Sequence, residues 1–213
     1  YVYDLNSARK DGIVPLNYRV WWGMEDKHLF EYAKVKLTEM SESGKPFAFT
    51  MLTVDTHHIG GYKCDLCWNE YTENYENVIA CSSRQTAAFV DWIKEQDFYE
   101  DTAIIICGDH LSMDAEYFSR NINSEYERHV YNCIINPSAE AENVKNRVIT
   151  PMDMFPTTLA ALGCKIDGDR LGLGTNLFSG LETLAEKYGL DALNTELAKH
   201  SDYYNDNFIK NDG

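Results

Sequence analysis

No apolar run in these 213 residues approaches the ~20 that a helix needs to cross a bilayer, so no spanning helix is expected within them. No signal peptide is expected among these residues. Positive charge is scarce. Nineteen Lys and Arg face 34 Asp and Glu, a net charge of −15. A field of that sign excludes binding of nucleic acid or an anionic membrane through bulk electrostatics. An anionic substrate would need a local cation, which a bound metal can supply. There is no G-x-S-x-G elbow and no phosphate-cradling glycine loop, which removes two common routes to hydrolysis and phosphoryl transfer. A second C-x-x-C is also missing. Cys64-Asp65-Leu66-Cys67 stands alone, and a zinc knuckle wants four ligands. The sequence has no internal repeat, and it begins at Tyr1-Val2-Tyr3-Asp4 without Met, which suggests a piece of a longer protein.

What is present is a folding chain. Fourteen Tyr, nine Phe and four Trp exclude a disordered polymer, and the length suits one domain with a full core. Six cysteines divide into two groups. Cys107, Cys133 and Cys164 lie in or beside apolar runs and are expected as buried thiols. Cys64, Cys67 and Cys81 lie in or beside a polar segment. A disulfide from Cys81 to Cys67 or Cys64 is expected there, which implies an oxidising compartment.

The organising stretch is Thr102-Ala103-Ile104-Ile105-Ile106-Cys107-Gly108-Asp109-His110. Its β-branched run predicts a central parallel strand buried on both faces. In open α/β sheets, ligands sit beyond the carboxyl ends of such strands. Asp109 and His110 there offer adjacent oxygen and nitrogen ligands for a divalent metal. Residues 46–54 predict a second buried strand, which also ends on histidine, at Asp55-Thr56-His57-His58. His57 is the candidate for contacting a phosphate or sulfate oxygen or protonating a leaving alkoxide. His58 is the secondary candidate.

A helix is expected from after Met24 to Gly44, with Leu29, Phe30, Ala33, Val35 and Leu37 inside. Another is expected over 78–96, completing a right-handed β–α–β unit with the organising strand. A third strand over 129–135, a helix over 151–162 and a terminal helix over 181–200 follow. The expected fold is α/β, a mostly parallel sheet flanked by helices.

Four motifs occur in a fixed order: Leu52-Thr53-Val54-Asp55-Thr56-His57-His58, Gly108-Asp109-His110-Leu111, Pro151-Met152-Asp153-Met154-Phe155-Pro156-Thr157-Thr158-Leu159 and Leu171-Gly172-Leu173-Gly174. Together they resemble the C-terminal half of the sulfatase-type domain of the alkaline phosphatase superfamily. The nearest likeness is to phosphoglycerol transferases of periplasmic glucans and to lipoteichoic acid synthases. The resemblance spans about residue 20 to about residue 180. It implies that residues 1–213 are the C-terminal portion of one catalytic domain whose N-terminal part is missing. It also implies an alkaline phosphatase-like fold and one divalent ion, commonly Mn²⁺, with Zn²⁺, Mg²⁺ or Ca²⁺ as alternatives. Asp109 and His110 would be metal ligands, and His57 would touch the substrate phosphate, with His58 beside it. The implied reaction moves phosphoglycerol from a phosphatidylglycerol-like lipid to a glycan or polyol hydroxyl through a covalent intermediate. The implied location is the outer face of a bacterial membrane, reached through segments absent here.

The family's nucleophile, a threonine, lies in the half that precedes these motifs. Thr50, Thr53 and Thr56 belong to another element, so the chain alone is expected to be inactive. Cys81-Ser82-Ser83-Arg84 departs from the C-x-P/A-x-R pattern that sulfatases oxidise and is rejected as a nucleophile site. A sulfatase or phosphodiesterase of the same superfamily, or a truncated binding module, are the other expectations.

Overall fold

A computed structural model describes residues 2–142 and 145–209. The chain divides into two compact units. One holds residues 1–101 and 107–131, the other 102–106 and 132–213.

The first unit is built on helices α1 (Leu5–Lys10), α2 (Asp26–Glu42), α3 (Asn74–Lys94) and α4 (Ala115–Asn121). In α2, Phe30, Ala33 and Leu37 turn inward at helical spacing, as expected, but Val35 faces solvent. Helix α3 begins earlier than its apolar run. Tyr75, Val78, Cys81, Phe89, Val90 and Ile93 form its buried stripe, and Phe30 meets Phe89 with ring centroids 5.1 Å apart.

The buried strand expected over 46–54 is not formed. The segment is extended, and its residues alternate between half-buried and exposed up to Thr53, but no ladder partner lies among the described residues. A strand needs a neighbour to take its backbone hydrogen bonds. Here the fixed point is a side chain: Asp26, at the start of α2, accepts the N–H groups of Val54 at 2.7 Å and Asp55 at 3.3 Å.

The second unit contains β1 (Ile104–Cys107, whose last residue belongs to the first unit) and β2 (Asn132–Ile135), which pair in a two-stranded sheet. The Asn136 side chain, just past the end of β2, donates to Thr102 O, just before the start of β1, at 3.1 Å. The strands therefore run in opposite directions. This corrects the expected central parallel strand and its β–α–β unit, at least among the described residues. β1 is half-buried, with Cys107 exposed, so burial on both faces does not hold either. Cys164 is also exposed, and Cys133 is half-buried.

Helix α5 (Pro151–Ala161) packs on a small antiparallel hairpin, β3 (Arg170–Leu171) and β4 (Gly174–Thr175). The terminal helix expected over 181–200 is two helices, α6 (Leu184–Tyr188) and α7 (Leu190–Leu197). They are divided at Gly189, whose φ of 83° favours glycine. No helix among the described residues is long and apolar enough to cross a membrane.

Candidate active site

Both candidate motifs fall in the first unit, on loops that follow extended segments. Val54 O accepts the His57 N–H, and Asp55 O accepts the Tyr62 N–H at 2.7 Å, so the chain doubles back sharply after His57. A Cβ on Gly61 would meet Asp55 O at 2.8 Å, and the φ of 65° there again favours glycine.

His57 is half-buried. Its Nδ1–H donates to the carbonyl of His58 at 2.6 Å, and its ring lies against Trp22 at 4.5 Å and His58 at 4.7 Å. That bond fixes the tautomer and leaves Nε2 without a hydrogen-bond partner among the described residues. The imidazole is thus held on one edge and available on the other. His58 contributes a stacked ring.

Asp109 and His110 lie beyond β1 and are exposed. Asp109 Oδ1 accepts the His110 backbone N–H at 2.9 Å. His110 Nδ1 bonds Leu111 O at 2.8 Å, and His110 Nε2 stands 3.4 Å from Asp109 Oδ2. One oxygen and one imidazole nitrogen therefore face the same space, each oriented by its other atom. This is how ligating His and Asp side chains are usually braced. The pair fits a divalent ion as two ligands. Among the described residues, neither belongs to a group of three His, Cys, Asp or Glu ligand atoms within 4.8 Å of one another.

Two contacts join the histidine loops. The Tyr75 hydroxyl, on α3, donates to Thr56 O at 3.1 Å and accepts from Ser112 Oγ at 2.7 Å. Asp114 Oδ2 accepts the Gly60 N–H at 2.7 Å. The structure thus ties the segment around His57 to the segment after His110 through residues the motifs do not include. Arg128 adds a bond to Ser112 O at 3.0 Å and places its guanidinium 4.2 Å from the Phe118 ring. Asp114 carried a readable signal, because it caps α4 by accepting the Tyr117 N–H at 3.1 Å. Tyr75 and Trp22 carried none.

Behind His57 lies a buried acidic pair. Asp55 is 2 % exposed, with neither carboxylate oxygen hydrogen-bonded among the described residues, and Asp26 is fully buried. Burial, and then the Asp26 carboxyl, push the Asp55 carboxyl up to about 7. Asp26 is also raised by burial, against the two backbone donors that favour its charged form.

The Asp-x-x-Pro-Thr helix and the Leu-Gly-Leu-Gly loop belong to the second unit, where they form a structural hub. Asp153 Oδ1 accepts the Thr175 N–H at 2.8 Å. Thr157 Oγ1 donates to Asp153 O at 2.6 Å and accepts the Leu177 N–H at 3.0 Å. A Cβ on Gly174 would collide with the Met152 carbonyl.

Residues 1–164 match the sulfatase family. Among curated proteins, phosphoglycerol transferase I of Escherichia coli O139:H28 (strain E24377A / ETEC) is 31 % identical over 179 residues, covering 80 % of this chain and 22 % of the relative. The same protein of Shigella boydii serotype 18 (strain CDC 3083-94 / BS512) matches equally. That of Escherichia coli O157:H7 (strain EC4115 / EHEC) is 30 % identical over the same length. The chain therefore spans about a fifth of these relatives' length. No solved structure matches it. The family carries an alkaline phosphatase-like α/β fold and generally uses a divalent metal ion. By its match over residues 1–164, this chain belongs to the sulfatase family.

Proposed function

We propose that this chain supplies part of the active site of a metal-dependent phosphoglycerol transferase, as the C-terminal portion of a single catalytic domain. The donor would be a phosphatidylglycerol-like lipid and the acceptor a glycan or polyol hydroxyl, at the outer face of a bacterial membrane. The observation that carries the reading is the Asp109–His110 pair, its oxygen and nitrogen 3.4 Å apart on a segment tied to the His57 loop.

Asp109 and His110 would hold the divalent ion. A mixed oxygen and imidazole donor set suits Mn²⁺ or Zn²⁺ better than Mg²⁺ or Ca²⁺, which favour oxygen. When bound, the ion supplies positive charge at the substrate's phosphate oxygens. His57 Nε2 would meet the phosphate, with His58 supporting its ring. As the bond from phosphorus to the diacylglycerol oxygen breaks, the Nε2 proton of a doubly protonated His57 ring would pass to the departing alkoxide, leaving the neutral ring with its Nδ1–H still on the His58 carbonyl. The nucleophile that takes the phosphoglycerol is not among residues 1–213 in this reading, so the chain assayed alone is inactive.

The test is transfer from a fluorescent phosphatidylglycerol to a glucan acceptor by the full-length protein with Mn²⁺. Asp109→Ala and His110→Ala should abolish transfer and lower bound metal. Unchanged transfer and metal content in both variants would overturn the proposal. The sulfatase family match also favours a second reading, hydrolysis of a sulfate or phosphate diester. Cleavage of an aryl sulfate without transfer would select it. Inactivity of the full-length protein on both substrates would select a binding module.

A further inference from the structure

Three thiols from two elements converge just past the His57 loop. Cys64 Sγ lies 3.7 Å from Cys67 Sγ and 3.9 Å from Cys81 Sγ, and all three sulfurs fall within 4.8 Å of one another. All are free thiols, at separations far beyond the ~2.05 Å of a disulfide. The expected Cys81 disulfide is therefore not formed. The separations match the ~3.8 Å between two sulfurs bound tetrahedrally to one zinc at about 2.3 Å each.

Polar groups approach these sulfurs, although burial raises the Cys64 and Cys67 thiols. Cys67 N–H donates to Cys64 O at 3.1 Å, closing the C-x-x-C turn. Gln85 Nε2 lies 3.5 Å from Cys81 Sγ. Donors aimed at sulfur are what a metal-bound thiolate collects around itself. The lone C-x-x-C argued against zinc because its partners were not visible in sequence. Helix α3 provides one of them.

We propose that Cys64, Cys67 and Cys81 bind one Zn²⁺, with a water molecule in the fourth position. Each thiol gives its proton to solvent, three S–H bonds are exchanged for three Zn–S bonds, and no electrons are transferred. The ion would clamp the polar segment after His57 onto α3, the helix that carries Tyr75. This site is separate from Asp109 and His110, and it stands whether or not the proposed transferase activity does.

The experiment is Co²⁺ titration of the 213-residue chain, reduced with a phosphine and stripped of metal. A sulfur-to-cobalt charge-transfer band in the near ultraviolet should saturate at one equivalent and vanish on adding Zn²⁺. An oxygen and imidazole site gives no such band, so binding at Asp109 and His110 is distinguished. Cys81→Ser and the half-buried Cys67→Ser should lose the band, and Cys133→Ser should keep it. Gln85→Leu, which removes no ligand, should weaken Zn²⁺ binding about tenfold. Absence of the band in a chain folded by circular dichroism, or its persistence in Cys81→Ser, would overturn the proposal. So would a freshly purified chain that is metal-free and carries a disulfide among these three residues.

Discussion

Asp114 accepts the backbone N–H of Gly60 at 2.7 Å with one carboxylate oxygen and caps α4 through Tyr117 with the other. A single buried side chain thus holds the loop after His57 and starts a helix 54 residues later in sequence.

Asp114→Ala removes a cap and a loop anchor together. Each is worth about 1 kcal/mol, so a loss of about 2 kcal/mol is expected in denaturant unfolding of the chain. Asp114→Asn, which keeps an acceptor for the cap, should recover part of it. A loss within experimental error of zero would mean that the loop is held elsewhere.

His57→Gln separates substrate contact from metal binding. In the full-length protein, transfer should fall by about 10²- to 10⁴-fold while bound metal stays at the wild-type level. A parallel fall in metal content, measured by elemental analysis, would instead make His57 a ligand.

The Asp55 carboxyl sets one pH dependence. Its value of about 7 in the folded chain lies above the ordinary 3.8, so the folded state holds a proton that the unfolded chain has released. The stability this group contributes is complete below 3.8 and is lost as pH rises through about 7. Asp26, shifted in the same direction, adds to the slope. Asp55→Asn should flatten the fall in urea midpoint over that range. An unchanged slope would place the effect at other groups.

Glu186 sets the opposite one. Arg147 binds it with two hydrogen bonds, Nε to Oε1 at 2.7 Å and Nη2 to Oε2 at 2.9 Å, and Glu186 also closes the cap of α6 with Thr183. Foremost through the Arg147 bond, its carboxyl is held down at about 2 against an ordinary 4.5. Its contribution is present above 4.5 and is lost as pH falls toward 2, at most on the order of 3 kcal/mol. Arg147→Ala should remove most of this acid sensitivity and lower the thermal midpoint at neutral pH.

Gly174→Ala places a methyl group against the Met152 carbonyl. A rigid backbone collision of this kind should cost about 1–3 kcal/mol, read as a lower denaturant midpoint for the chain. Gly168→Ala meets no neighbouring atom but carries a φ of 71°, so its smaller penalty separates strain from collision.

The helices were legible where apolar spacing was regular. Phe30, Ala33 and Leu37 in α2 turned inward as their spacing required. The strands were not. Residues 46–54 read as a buried strand because β-branched and aromatic side chains dominate, yet strand formation depends on a neighbour that no local pattern encodes. β1 was placed within a residue or two, but its antiparallel pairing with β2, across a long segment that includes α4, is set by a partner that its own residues do not name. The 181–200 helix is broken at Gly189, and it also starts later, at Leu184, and ends earlier, at Leu197.

The sequence by itself determined the family and the identity of the candidate site residues, because Asp109, His110 and His57 are recognisable as residue types in ordered motifs. Only the tertiary structure decided what stands beside them. Tyr75 bridges Thr56 and Ser112, and Cys81 joins a C-x-x-C pair 14 residues before it. Those pairings rest on hydrogen bonds and sulfur contacts between segments distant in the chain, and residue spacing carries no information about distances of that kind.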